Sequence, residues 1–158
     1  MKRTTALIVI LLAAFTVTAQ DFEFRLRGGV NFQRSQSPDS EFSFLPHIGA
    51  MAGVRISTFG VYGEVLYSVH DNQNWVSEAA YIVPAALVRF YGFRNIYAEG
   101  GLSYNMLADD QADGAMVEFP DGEIGYFAGL GYMFKKLEIG LRSTNPLTSI
   151  QINASYRF

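Results

Sequence analysis

The segment SIQINASYRF, residues 149–158, decides the fold. Ile150, Ile152, Ala154, Tyr156 and Phe158 alternate without a break against Gln151, Asn153, Ser155 and Arg157. A random half-apolar chain would do this roughly once in 500 tries. Period two belongs to a strand with one apolar and one polar face, and no three-and-four spacing suggests a helix.

The same period runs back through the chain. Residues 22–32 set Phe22, Phe24, Leu26, Gly28, Val30 and Phe32 against Glu23, Arg25, Arg27, Gly29 and Asn31. Further strands are predicted at 47–56, after the short turn 57–59, at 77–91, 95–106, 122–134 and 137–142. Pro84 in YIVPAALVRF removes a ladder donor and predicts a bulge there. Connections 33–46, 70–76 and 107–121 are long or polar and 143–148 is moderate, while 57–59, 92–94 and 135–136 are short. Long and short connections alternate in step with strand number, as in an up-and-down meander.

The opposite end carries a different signal. Lys2 and Arg3 precede the apolar run ALIVILLAAF, then Val17 and Ala19 stand at the −3 and −1 positions of a signal-peptidase site. The run is too short for a spanning helix, which needs about 20 residues. Residues 1–19 are therefore expected to be a cleaved signal peptide, with the mature domain at 20–158. The chain has no cysteine, which excludes disulfides, thiolate metal sites and lipoprotein acylation. Without Lys2 and Arg3, 10 basic residues stand against 15 acidic ones, a balance that excludes a nucleic-acid partner.

Alternation alone does not say which face meets solvent. A soluble barrel would turn its apolar face inward onto a greasy ligand. Here the charges share one face: Arg25, Arg27, Arg55, Arg89, Arg142 and Arg157 with Glu23, Glu64, Glu99, Glu123 and Glu138. Near-balanced signs suit a closed interior in which they neutralise one another, since buried charge is costly unless paired. The same face is rich in glycine, which suits a narrow lumen. The apolar face carries Phe22, Phe32, Tyr104, Tyr132, Phe134, Tyr156 and Phe158 near strand ends, where a membrane protein places interfacial aromatic girdles. The expected fold is all-β, an eight-stranded antiparallel up-and-down transmembrane β-barrel with an interior charge network that plugs it.

Several segments now resemble a known family. VYGEVLYSVH, YIVPAALVRFYGFRNIYAEGGLSYNML, GYFAGLGYMFKKLEIGLR and INASYRF are similar to the outer-membrane β-barrel domain family common among Bacteroidota. The resemblance implies a location in the bacterial outer membrane and contact with its lipid. It also implies that Tyr156 and Phe158 form a C-terminal signal read by the barrel-assembly machinery, with periplasmic chaperones as partners during biogenesis. It carries no catalytic set and no cofactor, and the peptidoglycan-binding domain of some related barrels is not expected after Phe158.

An active site was sought among the remaining residues. His47 and His70 are the only histidines, and both are expected at the solvated outer rim. His70, Asp71 and Ser68 or Ser77 offer base, acid and nucleophile types, but adjacent residues on a strand point apart. Asp109, Asp110, Asp113, Glu118, Asp121 and Glu123 are calcium-ligand types whose spacing does not fit an EF-hand, and they read as a solvated acidic loop. Trp75 suits either membrane or partner contact. The expectation is a monomeric, non-enzymatic barrel without metal or cofactor, with an envelope-structural or surface-interaction role. A narrow pore for small solutes and a lipid A-modifying enzyme are the alternatives.

Overall fold

A computed structural model describes residues 21–34, 42–71, 78–110, 122–145 and 149–158. Eight strands make up almost all of it: β1 (Asp21–Arg34), β2 (Phe42–Ile56), β3 (Phe59–Asp71), β4 (Glu78–Tyr91), β5 (Ile96–Asp110), β6 (Glu123–Phe134), β7 (Leu137–Asn145) and β8 (Ser149–Arg157). Each pairs antiparallel with its neighbour in sequence, and β1 closes on β8 from Arg25–Arg157 to Phe32–Ile150. The result is a closed eight-stranded barrel, as the period-two reading requires. Strands of 9 to 15 residues reach the length of about 9–11 that a tilted strand needs to cross a bilayer.

The turns explain the tight end. Ser57 (φ 55°) and Lys135 (φ 57°) open the two-residue β2–β3 and β6–β7 hairpins in the left-handed region, which mirror-image hairpin turns demand. A single 3-10 turn, Phe93–Asn95, joins β4 to β5, with Arg94 and Asn95 also left-handed.

Strands run further toward the other end than expected. β2 begins at Phe42 rather than at 47, and β5 continues to Asp110 rather than 106. Phe42 and Phe44 keep the alternation, whereas Pro46 reads as a breaker; it stands where β2 has just lost its β3 partner, an edge position that tolerates proline. The bulge expected at Pro84 lies elsewhere. The β4–β5 ladder skips from Ile82–Met106 to Ala85–Ser103 without changing register, and the shift falls between Ala80 and Tyr81.

The two faces separate sharply. Outward residues such as Phe22, Ile48, Val61 and Ile139 are exposed, while Glu23, His47, Tyr62 and Glu138 beside them are buried. Aromatic rings gather at both ends of this apolar band. Phe24 with Phe158, Phe59 with Phe90 and Tyr156 with Phe158 lie near the short turns, and Phe32 stacks on Phe42 toward the long connections. This is the surface a lipid-facing barrel presents.

Candidate functional site

The lumen holds what chemistry the barrel has. Because the side-chain period is two, β1 sends Glu23, Arg25 and Arg27 inward in succession, and each meets residues of matching height on other strands. Nearest the short turns, Arg157 contacts Glu23 at 2.9 Å, and Glu23 contacts Arg25 at 2.6 Å. Arg25 reaches Glu138 at 2.8 Å, and Glu138 holds Arg89 at 2.7 Å. Arg89 passes to Glu99 at 2.8 Å. Above it lies a closed four-membered ring: Arg27 and Arg142 each touch both Glu64 and Glu99, at 2.6 to 3.4 Å. The ring draws on β1, β3, β5 and β7.

Five guanidiniums and four carboxylates thus form one unbroken chain of ion pairs along the lumen. Arg25 and Arg89 are fully buried, and Arg27 and Arg142 are only 2% exposed. Such burial is tolerable only because each charge has an opposite charge and hydrogen bonds. Aromatic rings complete the sheath. Arg89 lies 4.2 Å from the Tyr97 ring centre, Arg142 4.0 Å from Phe127, and Arg25 4.9 Å from Tyr62. Tyr62 donates to Glu23 at 2.5 Å, and its hydroxyl meets that of Tyr91. Tyr97 has room because Gly131 faces it; a β-carbon there would come within 2.3 Å of the ring.

Two residues expected in this network stand outside it. Arg55 is half-buried near the short-turn mouth, donating to the Ser57 carbonyl at 3.1 Å, with its guanidinium 4.0 Å from the Tyr91 ring centre. Glu123 is exposed at the first residue of β6. The other nine meet as described. The interior is also more aromatic than expected, since Tyr62, Tyr91 and Tyr97 share the inward parity of Glu64, Arg89 and Glu99 two residues away.

The histidines correct a second expectation. His47 and His70 are each 3% exposed and face the lumen, not the solvated rim. His47 bridges Asn31 (3.1 Å) and Asn153 (2.7 Å), while Asn31 donates to Ser68 (2.9 Å) and to the Val69 carbonyl (2.7 Å). Ser68 lies 2.8 Å from His70 Nε2, the spacing of a nucleophile and its base. His70 Nδ1, which a triad acid would hold, has no hydrogen-bond partner, and Ser68 is 1% exposed. Among the described residues the pair has no orienting acid, and Ser68 is too buried to meet a lipid substrate. The Asp71 side chain, Ser77, Trp75 and residues 111–121 lie outside what the structure describes. Among the described residues no cluster of three His, Cys, Asp or Glu could hold a metal ion.

Comparison with known proteins places this geometry. Among solved structures, the barrel is similar to the Yersinia pestis outer membrane protein Ail in a phospholipid bilayer nanodisc: 12% identity, TM-score 0.53, covering 87% of this chain and 100% of that one. It also matches Neisserial surface protein A (18% identity, TM-score 0.46, 88% and 97% covered). No curated protein matches by sequence. The profile of the outer membrane protein beta-barrel domain spans residues 4–158. With a closed antiparallel barrel, an apolar girdled exterior and a charged interior, the chain belongs to the outer membrane protein β-barrel domain family.

Proposed function

We propose that the protein is a non-enzymatic barrel of the bacterial outer membrane whose lumen is plugged, and that it serves envelope structure or surface interaction rather than transport. The observation that carries this reading is the ion-pair chain, with its Arg27–Glu64–Arg142–Glu99 ring linking four strands across the lumen. Passing a solute would require breaking buried pairs, at about 3–5 kcal/mol for each partner left alone. Residues 1–19 direct export and are cleaved in the process, and Tyr156 and Phe158 on the exposed face of β8 and its end present the assembly signal.

Purified protein in planar bilayers tests the plug. The expected record is flat at physiological salt. A steady nanosiemens-scale conductance refutes it and favours the narrow-pore reading.

A further inference from the structure

Above the ring, on the side of the long connections, the lumen holds a cavity. Its floor is Glu64 and Arg142, one wall is apolar (Leu66, Val83, Phe127), and the other is polar. Four buried polar atoms of the lining residues have no hydrogen-bond partner; Glu64 Oε1 and Arg142 Nη2 are held in ion pairs, which leaves His70 Nδ1 and Gln151 Oε1. Leaving such groups unsatisfied costs about 1–3 kcal/mol each.

Their donor and acceptor roles can be worked out. Asn31 must turn its amide nitrogen toward the Val69 carbonyl, so it also donates to Ser68. Ser68 then spends its proton on His70 Nε2, the arrangement that leaves no hydroxyl proton idle. The His70 ring proton therefore sits on Nδ1, where it is an unused donor, held in place by the edge-on ring of Tyr81. Gln151 Oε1 is an unused acceptor. The floor charges already neutralise each other, so a charged guest would lose its hydration without a counter-charge.

The geometry points to a binding site for a small neutral polyol. Its hydroxyls accept from His70 and donate to Gln151, while its carbons lie on Leu66, Val83 and Phe127. The inference rests on the lumen being shut below the cavity. Conductance reports that separately from binding.

The test is ring ¹⁵N NMR of the full chain in lipid nanodiscs, titrated with ethylene glycol, glycerol and inorganic phosphate. His70 is expected to be protonated on Nδ1, and its resonances to shift saturably with either polyol but not with phosphate. Gln151→Leu should weaken the polyol response about tenfold or more, the worth of one well-placed hydrogen bond. Val83→Phe, which fills the apolar wall and leaves the polar groups intact, should abolish it and serves if the first variant does not fold. Unmoved or linearly drifting His70 resonances, which mean that only water fills the cavity, overturn the proposal. So does an equal response to phosphate, or saturation unchanged in the folded variants.

Discussion

Replacing Glu99 with glutamine keeps the shape of the side chain and removes its charge. In the folded barrel Glu99 is approached by Arg89 at 2.8 Å, by Arg142 at 2.8 and 2.9 Å, and by Arg27 at 3.4 Å. Losing it leaves five guanidiniums against three carboxylates. A buried partner left alone costs about 3–5 kcal/mol. Here Arg27 and Arg142 keep Glu64, and Arg89 keeps Glu138, so no cation is stranded entirely and the lower end, about 3 kcal/mol, is expected. With a urea slope of about 2 kcal/mol/M, that is a midpoint shift of roughly 1.5 M. Equilibrium urea unfolding in lipid vesicles, followed by circular dichroism, measures it. Adding Arg89→Met to Glu99→Gln removes one surplus cation and should return about 1–2 kcal/mol, as coupled neighbours do. Glu123→Gln, on the exposed rim, should stay within about 0.5 kcal/mol of the parent. A Glu99→Gln midpoint indistinguishable from that of Glu123→Gln would sink the claim that the network bears on stability.

Other substitutions probe the packing and the turns. Gly53→Ala places a β-carbon 2.1 Å from the Val61 carbonyl and should destabilise by about 1–3 kcal/mol, whereas Gly63→Ala, with open space around it, should be silent; the same urea midpoints compare them. Lys135→Gly relieves a left-handed penalty of about 1–2 kcal/mol at the cost of about 0.5–1 kcal/mol of chain entropy, so thermal unfolding should show a small gain. Deleting Phe158 removes a ring packed on Phe24 and Tyr156 at the β8 end, and should lower the yield of heat-modifiable, folded barrel from cells far more than it changes the stability of barrel refolded in vitro. Equal losses in both measurements would assign Phe158 a packing role alone.

The fold was legible because a barrel wall repeats a two-residue code eight times. Charges at Glu23, Arg25 and Arg27 sit one step from phenylalanine and leucine, and parity carries them all inward together. Strand ends were harder to read. Pro46 looks like a stop until its edge position is known, and the bulge follows the meeting of β4 with β5 rather than the presence of Pro84. The partners inside the lumen were the least accessible, because which arginine meets which glutamate depends on strand stagger. Glu123 has inward parity, yet at the first residue of β6 it is exposed. His47 is buried because β2 extends back to Phe42, past the expected strand start, and His70 is buried although it lies next to the end of β3. Neither outcome follows from parity alone.

The ring of Arg27, Glu64, Glu99 and Arg142 has a consequence for the order of events during insertion. Its members arrive on the first, third, fifth and seventh strands, so a sheet grown from β1 holds Glu64 with Arg27 alone, one of its two cations, until β7 brings Arg142 together with Glu138. An unfinished sheet then carries balanced charge but an open ring, and closing the barrel without β7 would bury Glu64 with one cation instead of two. Pairing geometry therefore acts as a count of strands: the ring closes only when the seventh is in place, which penalises barrels that shut with that strand missing.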